Sequence, residues 1–452
     1  MSVKLMVRLL LLCCIGVTHC AAAGPITPGK IIDTVYCEAD PSQSYALYIP
    51  LKGDREPLPV VYFFDSHGAG ALPLRKYKAL ADAYGFIFIG SNNSKNGNDW
   101  GTSETIWRRL SEDTRRRLKI NGARIYTIGF SGGAKVASYV AIQHSEVKGV
   151  VANGAGLPDG VSAGDFAFSF TAVAGEGDMN RTDLVELDGA LDRTRTRHRM
   201  LLFDGKHEWA PENTMRTAFT GWQLDAMVAR LIPRDEVFIN TWIGKSKERV
   251  ETNSRENRLI RARQECRLSM QLLDGLADAG WFKQKAASLE ANAEYRKQQQ
   301  QEEGLLVTEQ NTKAEYMQHF QQGDIAYWSK TIDGLRVKAG AKTAETGMYQ
   351  RLLAYLSLAF YSISNQMINA GENGAARHFT GLYKMADPTN SEAWYFSAIL
   401  DVREGNGRAA ENDLLTAVSY GFNDKRRLRQ QLEFNHSSPG IDLAGIERKM
   451  HE

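Results

Sequence analysis

Hydrophobic and polar positions follow two regimes along this chain, and the change falls near residue 245. Before it, short apolar runs alternate with longer amphipathic stretches. The runs predict strands over 44–49, 59–64, 86–90, 124–130, 147–152, 166–173 and 200–203. The stretches predict helices over 74–84, 102–118, 132–144 and 213–231. In the third of these, Val136 and Val140 fall one turn apart and share a face. Short apolar strands alternating with helices imply an α/β fold, a mostly parallel sheet covered on both faces. Such sheets place ligand sites at the carboxyl ends of their strands.

After residue 245 the strand-like runs vanish and helical periodicity takes over. Residues 287–303, with Gln298–Gln301 and Glu302-Glu303, are polar and read as an exposed helix or a linker. Further on, Trp394, Ala398, Gly405, Ala410, Leu414 and Ala417 fall close to the offsets of a tetratricopeptide repeat. Phe360, Gly371 and Ala376 stand 34 residues upstream of Trp394, Gly405 and Ala410. Two antiparallel helices pack small alanines against bulky side chains in such a unit, and a neighbour covers the open face. An unrelated α-hairpin domain fits the same pattern. The division that results is an export signal at 1–23, an α/β catalytic domain at 24–240, a helical linker at 241–345 and a tetratricopeptide-like domain at 346–452.

The export reading rests on Lys4 and Arg8, an apolar run from Leu9 to Val17, and small residues Ala21-Ala22-Ala23 before Gly24. The run is too short to span a bilayer, and no later segment is long and apolar enough to do so. Cleavage near Ala23 would deliver the chain to the periplasm or the medium. Without the signal, 53 basic side chains balance 53 acidic ones. Such a balance gives no ground for a nucleic-acid partner. Of five cysteines only Cys37 and Cys266 remain in the mature chain. They lack metal-ligand spacing and read as two unpaired thiols. The sequence implies no metal and no cofactor.

Gly129-Phe130-Ser131-Gly132-Gly133 is a G-x-S-x-G motif. Alone it is weak, but it joins the strand Arg124–Phe130 to the helix that begins at Gly132. A nucleophile elbow needs that strand–turn–helix setting, which lifts a serine hydroxyl above the sheet. The hydroxyl then needs a base. His207 follows the strand 200–203 on a loop at its carboxyl end, whereas His144 ends a helix and His198 sits in an Arg-rich approach to a strand. Asp178, after the strand 166–173, completes the order Ser…Asp…His. Its carboxylate would hold the imidazole in the tautomer that accepts the serine proton. Glu176 is an alternative acid, Asp204 is too near His207 in sequence, and Asp183 and Glu186 read as solvated charges. For an oxyanion, one donor is the N–H of Gly132 and the other comes from Gly68 or Ala69 in the loop Asp65–Gly70. His67 in that loop reads as structural. Asn92 and Asn93, with Trp100 and with Trp209 after the histidine, read as a substrate pocket that suits a sugar or a polar acyl group.

Together these residues resemble the polyhydroxybutyrate-depolymerase-like and feruloyl-esterase-like α/β-hydrolases, over about Val35 to Leu231. The marks are Asp40-Pro41-Ser42-Gln43-Ser44-Tyr45, the His67-Gly68 loop, Gly129-x-Ser131-x-Gly133 and Gly205-Lys206-His207-Glu208-Trp209. Lys206 and Ala210 depart from the family's G-G-H-x-W-P. The resemblance implies an α/β-hydrolase fold and a serine esterase. Its substrate would be a small or polymeric ester, carbohydrate esters included. Two other readings stand beside it: a serine peptidase of the same fold, and an inactive protein that binds a partner through its helical repeats.

Overall fold

The computed structural model describes residues 26–51, 56–320, 324–435 and 441–450. The export signal lies outside the described residues. An eight-stranded sheet is built from β1 (Ile31–Cys37), β2 (Asp40–Tyr48), β3 (Leu58–Phe64), β4 (Ile87–Ser91), β5 (Ile120–Phe130), β6 (Val147–Asn153), β7 (Ser169–Gly175) and β8 (His198–Phe203). Its order is β1-β2-β4-β3-β5-β6-β7-β8. The first two pairings, β1 with β2 and β2 with β4, are antiparallel, and the rest are parallel. The helices between strands are α1 (Ala71–Tyr84), α2 (Trp100–Arg117), α3 (Gly132–Gln143) and α4 (Arg181–Leu191), and α5 (Glu212–Val228) follows β8. This is the α/β-hydrolase fold.

Alternation along the strands sends side chains to two apolar cores. Val61, Phe63 and Phe88 meet α1 and α5 on one face. Val60, Tyr62 and Phe64 meet α2, α3 and α4 on the other. Sequence periodicity missed two elements. β1 is a half-exposed edge strand. The buried face of α4 includes Arg181, Thr182 and Asp188, which mask its helical apolar period.

Four more helices follow: α6 (Glu236–Arg255), α7 (Leu259–Leu273), α8 (Gly280–Glu290) and α9 (Ala293–His319). Ile239, Trp242, Cys266, Leu272, Phe282 and Tyr295 join the same core as Phe63 and Trp222. Residues 236–295 are therefore a packed outer layer on that face of the sheet, where the sequence reading had a linker from 241. Helix α9 absorbs the polar stretch. It begins with Tyr295 in the sheet's core and ends with Tyr316 in a separate helical core.

That third core lies among α10 (Ile325–Gly340), α11 (Thr346–Ala370), α12 (Asn373–Ala386), α13 (Ser391–Arg403) and α14 (Gly407–Ser419). Gly371 and Gly405 both turn the chain at positive φ, +77° and +79°. Ala376 and Ala410, five residues beyond each, are fully buried. Cys37 and Cys266 are free thiols in opposite cores of the sheet. Burial, reinforced by Asp113, pushes Cys37 to about 12, and burial pushes Cys266 to about 11.

Candidate active site

The loops at the carboxyl ends of β3 to β8 gather over one edge of the sheet. At the end of β5, Ser131 stands at φ 54° and ψ −124°, where a residue with a Cβ is strained. Two hydrogen bonds hold it there. Its N–H donates to Asn153 O (2.8 Å), and its carbonyl accepts from Ala134 N–H (2.9 Å). The flanking glycines permit the turn: a Cβ on Gly129 would overlap the Gly133 backbone, and one on Gly133 would overlap the Phe64 carbonyl. Helix α3 starts immediately, so the N–H of Gly132 has no intrahelical acceptor and faces outward at a helix N-terminus.

The loop after β8 brings His207 to this serine. Ser131 Oγ lies 2.9 Å from His207 Nε2, and His207 Nδ1 lies 3.0 Å from Asp178 Oδ1. Asp178 is fully buried and also accepts the N–H of Asn180 at 2.9 Å. Phe130 packs against the imidazole with ring centroids 4.8 Å apart. The three predicted residues therefore form one hydrogen-bonded chain.

Asn153, at the end of β6, supports this chain and was missed in the sequence. Its carbonyl holds the Ser131 N–H. Its buried side chain donates to Glu208 O (3.2 Å) and accepts from Ala210 N–H (2.8 Å), clamping the histidine loop. Gly154 follows at φ +72°, with the imidazole lying over it. A Cβ there would come within 2.9 Å of His207 Cε1 and 3.2 Å of Asp178 Oδ2. Gly154→Ala should displace the ring and lower kcat by roughly 10- to 100-fold, since a small misplacement of a catalytic group costs that much. Steady-state kinetics beside a thermal melt separates lost alignment from lost fold.

The rival residues point elsewhere. Glu176 pairs with Arg181 (2.9 Å), and Asp204 with Arg261 (2.6 Å). His144 faces Glu104 and His198 faces Asp192. Ser66 Oγ engages the His67 ring.

Five expected positions need correction. The N–H groups of Gly68 and Ala69 are engaged within their own loop, by Asp65 O (3.3 Å) and Asp65 Oδ1 (3.4 Å). Asp65 gathers this loop because it is buried and also accepts the Trp209 indole N–H at 2.9 Å. Trp209 is thereby a packing residue against Phe63 and Tyr77 and does not line the site. The Asn93 side chain ties its loop to Ser44 N–H and Ser42 O. That of Asn92 donates to Asp33 O. These two amides secure the sheet's antiparallel edge. Asn96, in the same loop, stands instead against Gly132: a Cβ on Gly132 would overlap its Oδ1.

A cleft of about 630 Å³ opens from Ser131 and Gly132. Trp100 lines it, together with Asn96, Val136, Leu157, Leu184 and Leu187. Lys135 and Asp159, paired at 2.6 Å, stand on its rim. Asp183 faces the cleft, where desolvation holds its carboxyl above the usual carboxylate range. Among the described residues no group of three or more His, Cys, Asp or Glu could hold a metal ion, and no helix is long and apolar enough to cross a membrane.

No family model and no curated protein matches the chain. Solved structures similar to part of it include an esterase from Pyrobaculum calidifontis, 14% identical over 44% of this chain and 85% of that one, with a TM-score of 0.36. An S-formylglutathione hydrolase from Agrobacterium tumefaciens is 18% identical over 42% and 93%, with a TM-score of 0.34. The fluorophosphonate-binding serine hydrolase FphF of Staphylococcus aureus is 12% identical over 43% and 99%, with a TM-score of 0.35. Likenesses this low carry no conclusion about chemistry.

Proposed function

We propose that this protein is a serine hydrolase that cleaves carboxylic esters through an acyl-enzyme on Ser131. One observation supports the reading above all: Ser131, His207 and Asp178 form a continuous hydrogen-bonded chain, and the serine sits on a strained strand-to-helix turn. Strain of that kind persists where the surroundings enforce it, and it aims the hydroxyl out of the sheet. His207 Nε2 takes the Ser131 proton as Oγ attacks the ester carbonyl. Asp178 accepts the Nδ1–H, fixes the tautomer and stabilises the imidazolium. The Gly132 N–H receives the oxyanion. The Asn96 amide, whose two ends exchange by a half-turn, supplies the second donor in place of Gly68 or Ala69. His207 then protonates the leaving alcohol. A water, deprotonated by His207, attacks the acyl carbonyl and frees Ser131.

The peptidase alternative uses the same residues. A panel pairing p-nitrophenyl esters with p-nitroanilides of the same acyl groups decides between them. The ester reading expects measurable turnover of esters and none of anilides; turnover of the anilides as well would make the protein a peptidase. The carbohydrate-ester option loses the two amides on which it rested, because Asn92 and Asn93 are engaged by the sheet edge.

Export and the helical repeats complete the reading. Residues 1–23 act as a cleaved signal, tested by the N-terminus of the protein recovered from outside the cytoplasm. Helices α11 to α14 act as two tetratricopeptide-like units. The matched turns at Gly371 and Gly405 and the matched buried alanines support that assignment.

A further inference from the structure

The catalytic cleft is lined by polar and apolar side chains together. Lys95, Asn96, Asn180, Asp183 and the Lys135–Asp159 pair supply its polar groups. Leu157, Leu184, Leu187 and Val161 add apolar surface between them, and a residue of the helical half, Leu358 on α11, adds to it. Leu358 is 40% exposed, Val161 38% and Trp100 39%. Three large apolar side chains left open to solvent thus border a single cleft, although the chain buries most residues of their kind. Exposed apolar surface collected in a concavity marks a place where something apolar binds.

The position of Leu358 is set by specific bonds. Seven residues earlier on α11, two turns away on the same face, Arg351 is buried. Its guanidinium pairs with the fully buried Glu309 of α9 at 2.7 Å and donates to Glu176 O at 2.8 Å. Glu176 lies two residues before Asp178, so α11 is seated directly on the loop that carries the triad acid. Arg181, just beyond that loop, reaches Glu302 of α9 at 2.5 Å. A buried charge left without its partner is costly, so these pairs resist separation of the two halves.

The direction of the cleft says which part of the ester it takes. His207 hands its proton to the leaving oxygen, so the alcohol lies beside the imidazole. Ser131 and Gly132 line the cleft and His207 does not. The cleft therefore runs from the reacting carbon on the acyl side.

We infer that α11 forms one wall of the acyl-binding cleft, that Leu358 sets acyl-chain preference, and that the substrates carry an apolar acyl group well beyond acetyl. This rests on the serine-esterase reading above. The test is kcat/KM for p-nitrophenyl acetate and octanoate with the full-length wild type, Leu358→Asp and Leu358→Trp. Val337→Asp, an exposed apolar position of the helical half outside the cleft, serves as control. Burial of a methylene is worth roughly three- to fourfold. The wild type should therefore prefer octanoate by at least tenfold. Leu358→Asp should lower the octanoate-to-acetate ratio by about tenfold, Leu358→Trp should lower it by filling the cleft, and Val337→Asp should keep it. Ratios within twofold of wild type for both Leu358 variants would overturn the inference while leaving the catalytic reading intact. A wild type that turns over no ester would remove the catalytic reading and this one with it.

Discussion

Ser131→Ala is expected to lower kcat on an activated ester by on the order of 10⁶-fold, leaving a folded protein that still binds substrate. The size follows from the loss of the only atom that becomes bonded to the acyl group. What persists is the Gly132 donor and the cleft, which alone are worth roughly 10³- to 10⁴-fold over water. Alanine keeps the Cβ, so the backbone strain at φ 54° is unchanged, and the N–H bond to Asn153 O does not involve the side chain. The melting temperature should therefore stay close to that of the wild type. A melt beside the kinetics makes the loss chemical and not structural.

Asp178→Asn is the second large effect, a fall in kcat of about 10⁴-fold. The amide nearly matches the carboxylate in shape, but Oδ1 is the atom that both faces His207 Nδ1 at 3.0 Å and accepts the Asn180 N–H at 2.9 Å, so an NH₂ turned toward the ring gives up the Asn180 bond. What changes is the tautomer of His207. An amide NH₂ facing Nδ1 leaves the ring proton on Nε2, which then cannot accept the Ser131 proton. The carboxylate's support for the imidazolium is lost as well. Glu176→Gln separates the two acids. Glu176 is occupied by Arg181 and Arg261, so its loss should change kcat by less than about tenfold. If the two variants exchanged these outcomes, Glu176 would be the triad acid.

Much of this site is legible in the residues themselves, for identifiable reasons. β3, β6 and residues 124–130 of β5 are buried almost throughout, so their sequences are mostly apolar runs that cannot be confused with an exposed helix. Chain order and a loop at a strand's end then suffice to pair Ser131 with His207 and Asp178. Directions of backbone groups within a loop are not legible. Gly68 and Ala69 stand in the expected loop, but Asp65 captures their N–H groups, and nothing in the order of residues announces that. The same holds for Trp209, whose indole finds a buried carboxylate 144 residues away. Asn93 and Asn96 share a loop and a residue type, yet only the fold separates the amide that braces β2 from the amide that meets Gly132. Least visible is the helical half. Leu358 is one apolar residue among many in a long helix, and contacts such as those of Arg351 and Arg181, distant in sequence, bring it to the cleft.

The most direct measurement of the central claim is fluorophosphonate labelling of the purified protein, read by intact mass and by peptide mapping. A phosphonate is attacked only by a serine whose hydroxyl is activated, and its tetrahedral adduct occupies the oxyanion site. The account predicts one adduct per chain, located on Ser131, and none on the Ser131→Ala protein. A folded wild-type protein that takes up no label, or carries it on another residue, would contradict it.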